Sequence, residues 1–260
     1  MKELGNVFNG NCKVTRYDVK DIIESRKKTI EAVVEIASVC YNKDSSKMSC
    51  DKKEKLFKKL LVEQGGLPTE IIEFIPVTVS KNFMRIDKLE VMRSLRYFHK
   101  DYILSNMPLT NLRCATKSGF NQVKMPKLQQ DNINSAFSIF KLEIPLFVVV
   151  HLLRHRNLSF NQRSNRYIKN TNMFVPEQIN LEELEKMMLS KPVAEIKYWL
   201  KEKGVRKELI NKFPNFFEMT EIFVASWNYN FRELINVRSS EHTMKETKEV
   251  IKMIEELLWD

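Results

Sequence analysis

Between Arg154 and Tyr167 the sequence reads Arg-His-Arg-Asn-Leu-Ser-Phe-Asn-Gln-Arg-Ser-Asn-Arg-Tyr, packing four arginines, a histidine, two serines and several amides into one short stretch. Guanidinium groups present a planar fork of donors that matches phosphate and carboxylate oxygens. If the end of the stretch is extended, Gln162, Ser164 and Arg166 share one side. That side offers an amide, a hydroxyl and a guanidinium to one ligand, a set suited to a phosphate plus a polar ring edge. Arg154 and Arg156 add fixed positive charge close by. The competing interpretation is a surface loop whose arginines pair with acidic neighbours. It suits an isolated arginine and is the weaker one at this density beside an apolar segment.

The elements that must hold this stretch are legible on either side of it. Phe137 to Glu143 alternates, with Phe137, Ile139 and Lys141 against Ser138, Phe140 and Leu142, and suits a strand covered in part on both faces. Pro145 suits the first turn of a helix through the apolar run Leu146 to Leu153, although Val148, Val149 and Val150 also favour a strand. Downstream, the spacing predicts helices over Leu181–Leu189, Ala194–Lys203, Phe216–Val237 and Met244–Leu258, with Gly204 closing one and Pro214 opening the next. Upstream, Ile22 to Cys40 carries apolar residues at helical spacing. A basic helix follows, with Lys52, Lys53, Lys55, Lys58 and Lys59 opposite Leu56, Phe57, Leu60 and Leu61. Ile71 to Val79 reads as a strand with Pro76 at an edge or bulge, and Lys88 to Leu104 as a helix. Asn106 to Asn134 reads as a long polar loop or insertion.

The fold class expected is α+β, a helix-rich single domain over 1–260. It has a central antiparallel or mixed sheet, an elaborated N-terminal half and an insertion at about 80–136. A length of 260 residues with 43% hydrophobic residues excludes a disordered chain, and 6 glycines exclude collagen. No apolar run reaches membrane-spanning length, and the N-terminus lacks an apolar signal region. A cytoplasmic location is the expectation. Cys12, Cys40, Cys50 and Cys114 form no C-x-x-C pair, so reduced thiols are expected, and His99 and His242 are too scattered for a metal site. Met187, Met188 and Met219 read as core fillers. The net charge of +10 fits a nucleic-acid surface, a site for small anions, or a lysine-rich solvated surface.

The spacing of the arginine-rich stretch resembles a family signature. Arg154-His155-Arg156, seven residues, then Ser164 is similar to the motif of the flavin-dependent thymidylate synthases (ThyX). Ile144-Pro145-Leu146-Phe147-Val148 resembles the family's Ala-Pro-Ile-Phe-Val lead-in, and Arg166-Tyr167 its Arg-Tyr after the serine. Leu234 to His242, with Arg238 within it, resembles its Phe-Leu-x-Leu-Arg helix end. More faintly, Gly66 to Ile71 resembles the Ser-Pro-Phe-Glu-His element, with Glu70 at the glutamate. Ala37-Ser38-Val39-Cys40-Tyr41 resembles Ala-Arg-Val-Ser-Tyr.

The resemblance implies an α/β homotetramer that methylates dUMP at C5 to dTMP. Methylene-tetrahydrofolate would be the carbon source, with FAD reduced by NADPH supplying the hydride. It implies FAD contacts at Arg154, His155, Arg156 and Gln162, and a nucleotide site lined by His151, Arg154, Gln162, Arg163, Ser164, Asn165 and Arg166, with Arg166 on the phosphate. Arg238 and Ser164 would be the catalytic residues. Arg238 would sit over the pyrimidine and favour its N3-deprotonated form, which makes C5 more nucleophilic. Taken alone, Arg238 is also a helix-terminal arginine of the ordinary kind. The chain departs from the family at Gln162, a glutamate there, at His151, a glutamine, and at Ile71, a histidine. His151 suits either a base contact or a satisfied core histidine. The family's Asn-x-Arg flavin contact falls on Trp227 and Tyr229 without a gap, and near Asn228 and Asn230 with one deletion. These departures leave two alternatives: a related enzyme acting on another pyrimidine nucleotide, or an inactive nucleotide- or nucleic-acid-binding protein.

Overall fold

The computed structural model describes residues 1–7, 12–41, 43–61, 70–78, 99, 109–117, 133–164 and 173–259. Among them is a five-stranded antiparallel sheet built from β1 (Lys2–Val7), β2 (Cys12–Tyr17), β5 (Phe137–Pro145), β6 (Ser159–Gln162) and β7 (Met219–Trp227). Its order is β1-β2-β5-β7-β6. The intervening β3 (Pro76–Thr78) and β4 (Leu109–Asn111) pair with each other in a separate antiparallel ribbon.

Both faces of the central part of the large sheet are covered, because alternate side chains enter two different cores. Val14, Phe140, Leu142, Ile144, Ile222 and Val224 face one core. It is closed by α6 (Leu146–Leu152), α7 (Leu181–Ser190), α8 (Val193–Glu202), α9 (Lys207–Lys212), α10 (Asn228–Arg238) and α11 (Lys245–Trp259). Tyr17, Phe137, Ile139, Phe223, Ala225 and Trp227 face the other. There α1 (Val19–Ile23), α2 (Arg26–Val39) and α3 (Cys50–Leu61) pack, together with the β3–β4 ribbon and α4 (Leu112–Lys117). A last short helix, α5 (Ile133–Ala136), leads directly into β5. The architecture is α+β and helix-rich, as the sequence implies.

The alternation of Phe137 to Glu143 is a central strand, and Pro145 takes the N-cap position of α6 at φ −65°, ψ 148°. Helices α7, α8 and α11 lie where their spacing puts them. Gly204 follows α8 with φ +79°, a left-handed conformation that ends a helix cheaply only without a Cβ.

Other expectations need correction. Phe216–Val237 is not one helix: Met219–Trp227 is β7 and Asn228–Arg238 is α10. Strand β7 lies between β5 and β6 with both faces covered, so its apolar residues run without alternation and mimic a buried helix. Pro214 follows Phe213 through a cis peptide bond in the turn before β7 and opens no helix. The strand expected at Ile71–Val79 is a 3-10 turn, Glu70–Phe74, followed by β3 (Val79 lies outside the described residues). The segment from Ile22 to Cys40 breaks at Glu24–Ser25, where the Ser25 hydroxyl accepts from the Lys28 N–H and starts α2. Part of the loop expected over Asn106–Asn134 is β4 and α4, and most of the helix expected at Lys88–Leu104 lies outside the described residues. Met219 is buried, but Met188 is 39% exposed and fills no core.

Candidate active site

The Arg-His-Arg triplet occupies the turn between α6 and β6. The His155 N–H donates to the Leu152 carbonyl at 2.9 Å and the Leu158 N–H to the His155 carbonyl at 3.1 Å, which folds the turn tightly. The Asn157 carbonyl accepts from Ser226 Oγ at 2.8 Å and Asn230 Nδ2 at 3.2 Å, tying the turn to the end of β7 and the start of α10. Arg154 and Arg156 are exposed.

Helix α10 ends on Arg238 and delivers its guanidinium to this turn. Nε donates to His155 Nε2 at 2.9 Å, and Nη2 to the His151 carbonyl at 2.9 Å. Two of five donors are thereby used, leaving three without a partner among the described residues. His151 sits on the last turn of α6, half-buried, with Nδ1 2.9 Å from Thr247 Oγ1 of α11. It is therefore not a fully buried core histidine, and its one side-chain hydrogen-bond partner among the described residues is Thr247.

Burial, and then the charge of Arg238, holds His155 below the ordinary imidazole range, against a weaker pull from Glu233. Burial also lowers His151, helped by Arg238, Lys212 and Arg154 and opposed by Glu208. Arg238 is itself lowered, by burial and then by Arg154. The result is a cationic surface carrying two neutral imidazoles, and neither Arg154 nor Arg238 has a carboxylate partner among the described residues. Such a surface accepts an anion and can polarise it.

The other half of the stretch lies at the far end of β6, whose four residues span about 13 Å. There the Gln162 amide nitrogen is 3.5 Å from Thr220 Oγ1 and the Ser164 N–H donates to the Cys40 carbonyl at 3.3 Å. Arg163 turns inward, donating to the Met219 carbonyl at 2.8 Å and lying 3.4 Å from Glu221. Asn165, Arg166 and Tyr167 lie outside the described residues. Hydrogen bonds and charge thus bring His151, Arg154, His155 and Arg238 together, while Gln162 and Ser164 make their contacts with Thr220 and the Cys40 carbonyl.

Sequence reading understated some partners. Asn161 donates to the Ile36 carbonyl at 2.5 Å and accepts from the Cys40 thiol at 3.1 Å. The faint Ala37–Tyr41 element thus adjoins the Gln162–Ser164 end, and that faint match was the only signal. Thr247 and Lys212 carried none. Of the weaker flavin-side positions, Trp227 is buried, its ring 4.8 Å from Phe137 and 5.3 Å from His99, and Tyr229 stacks edge-on to His99 at 5.6 Å. Asn228 is engaged with Ser138 at 2.8 Å and the Asn134 carbonyl at 3.0 Å. Ile71 is half-buried and Glu70 is exposed, 3.4 Å from Arg113. A cavity of about 430 Å³ opens elsewhere, between Arg16, Tyr17, Asp18, Arg232 and Trp259, and contains none of the arginine-rich stretch.

No curated protein matches the chain. Among solved structures, a UMP/dUMP methylase, PolB from Streptomyces cacaoi bound with 5-Br UMP, is similar at 17% identity and a TM-score of 0.33. The match covers 46% of this chain and 66% of that one, so the chain spans just under two thirds of that protein's length. The model of the thymidylate synthase complementing protein family matches residues 131–260, half of the chain, including the Arg-His-Arg turn, β6, β7 and Arg238. The chain belongs to the thymidylate synthase complementing protein family.

Proposed function

We propose that this chain is a flavin-dependent thymidylate synthase, converting dUMP to dTMP by reductive methylation at C5. Methylene-tetrahydrofolate is the carbon donor, with FAD and NADPH. The observation that carries the proposal is the junction of Arg238 with His155. Two motif pieces 83 residues apart meet in a hydrogen bond of 2.9 Å, on a surface with unmatched positive charge.

The residues fit the cofactor in part. Arg154 and Arg156, exposed beside His155, suit the phosphates of a dinucleotide. Trp227 and Tyr229 are taken up by aromatic packing and Asn228 and Asn230 by internal hydrogen bonds, so flavin contacts fall on the Arg-His-Arg turn, with Gln162 the further candidate. Bound there, the flavin supplies the hydride that completes the methyl group.

The protein's part is to bind and polarise. Arg238 remains charged and faces the pyrimidine, where it favours the N3-deprotonated ring and so raises electron density at C5. Neutral His155 holds that guanidinium in place through Nε2. His151 and Arg154 border the ring and phosphate. Ser164, Gln162, Asn165 and Arg166 form the nucleotide side, with Ser164 at the reacting ring and Arg166 on the phosphate, while Arg163, turned inward onto the Met219 carbonyl and Glu221, supports it from within. The assembly proposed is the homotetramer that the family resemblance implies, with each site drawing on more than one copy.

The test is release of tritium from C5-labelled dUMP with methylene-tetrahydrofolate, FAD and NADPH all present. Loss of release in Arg238→Ala supports the assignment. Wild-type protein that releases no tritium sinks it. A parallel arm with UMP and dCMP addresses the substitution of His151 and Gln162: turnover of either in preference to dUMP would make this a related enzyme acting on another pyrimidine nucleotide.

A further inference from the structure

Among the described residues, strand β6 is the edge of the sheet, paired on one side only, over the four residues Ser159 to Gln162. Both halves of the arginine-rich stretch hang from it. An edge strand this short gains little from its ladder, so its position depends on what grips it from outside the sheet.

At its first residue the grip is electrostatic. The buried hydroxyl of Ser159 donates to Glu73 Oε2 at 2.6 Å. The Glu73 side chain is 0% exposed and sits in the 3-10 turn before β3. Its other oxygen, Oε1, accepts from Arg113 Nη1 of α4 at 2.5 Å. The Arg113 side chain is only 14% exposed, and the second carboxylate near it, Glu70, lies on the surface at 3.4 Å. A carboxylate is tolerated at this depth because it is both paired and hydrogen-bonded. The chain of contacts runs from the segment at about 80–136, through Glu73, to the residue directly after Leu158 of the Arg-His-Arg turn.

We propose that Glu73 is a positioning residue for the Arg-His-Arg turn. Paired with Arg113 of α4, it fixes Ser159, and Ser159 fixes the placement of Arg154 and His155. The consequence for nucleotide affinity rests on the function proposed above. The turn is then clamped from two sides, by Glu73 on Ser159 and by Ser226 and Asn230 on the Asn157 carbonyl. Arg113 of α4 thereby braces the site through Glu73.

Ser159→Ala removes the clamp and leaves the Glu73–Arg113 pair intact, and Ser159→Thr keeps the hydroxyl. Amide hydrogen exchange of residues 154–158 is compared in the full-length proteins, with α11 as the internal reference, and dUMP affinity is measured by calorimetry. The expected result is an about tenfold rise in exchange of the turn in Ser159→Ala with α11 unchanged, an about tenfold weaker dUMP affinity, and recovery of both in Ser159→Thr. Wild-type exchange in the turn of Ser159→Ala overturns the proposal. So does exchange rising equally in α11, which would mark a general loss of stability, and so does failure of Ser159→Thr to recover. If the turn loosens but even the wild type does not bind dUMP, the brace stands and the nucleotide assignment falls.

Discussion

Arg238 donates from Nε to Nε2 of His155 at 2.9 Å, and because a guanidinium has only donors, that imidazole nitrogen must carry a lone pair. His155 is therefore the neutral Nδ1–H tautomer while the contact lasts. The pairing orients a charged group without neutralising it, which an aspartate in the same place would do. Arg238→Lys keeps a positive charge but loses the fork that reaches His155 and the His151 carbonyl together. Turnover of dUMP is expected to fall by about 10²-fold, with the melting temperature nearly unchanged. Tritium release and thermal denaturation check the two halves. A lysine variant with wild-type turnover would reduce Arg238 to a generic cation.

Two neutral imidazoles make the fold sensitive to acid. Both His151 and His155 are held below their ordinary value of 6.5, so the unfolded chain binds protons that the folded chain refuses. Their stabilisation is present above pH 6.5 and is lost as pH falls toward their folded values. The melting temperature should drop by about 2–4 °C between pH 7 and pH 5 from this source, a modest figure because both rings are half-exposed. His155→Gln keeps an acceptor for Arg238 but cannot titrate, and its profile should be flatter over that window. A profile as steep as the wild type's would assign the acid limb to other groups.

The contrast between helices read correctly and strand β7 has a physical basis. Helices α7, α8 and α11 lie at the surface, so one face is polar and the 3.6-residue period survives in the sequence. Strand β7 has no polar face: Ile222 to Trp227 are all buried, and no period remains to read. The site shows the same division. The Arg-His-Arg turn was legible because its residues are contiguous. The role of Arg238 required a partner 83 residues away, which spacing alone does not supply. Glu73 gave no sign of its depth, since a glutamate in Glu70-Ile71-Ile72-Glu73-Phe74 looks solvated until Arg113 and Ser159 are placed against it.

Three of the thiols should separate by reactivity. Burial, with Glu246 nearby, pushes the Cys12 thiol up to about 12, and burial also raises Cys40. Cys50 is exposed at the start of α3. At pH 8, iodoacetamide should label Cys50 first and leave Cys12 unmodified until denaturant is added, because the thiolate is the reacting form. Peptide mapping by mass spectrometry reads the order directly. Labelling of Cys12 at the rate of Cys50 would place β2 outside the sheet interior.

Asn230 offers a test that separates a structural amide from a cofactor contact. Its Nδ2 donates to Ser226 Oγ at 2.8 Å and to the Asn157 carbonyl at 3.2 Å, and the residue is buried. Both amide hydrogens are spent inside the protein, on the clamp that holds the Arg-His-Arg turn against β7. Asn230→Ala removes two donors and leaves a buried hydroxyl and a carbonyl short of partners, a loss of about 1–3 kcal/mol. Chemical denaturation should show that loss without any added ligand, as a lower midpoint at unchanged slope. Were Asn230 instead a flavin contact, the unliganded variant would be as stable as the wild type and only the cofactor-induced gain in stability would shrink. The internal bonding geometry predicts the first pattern.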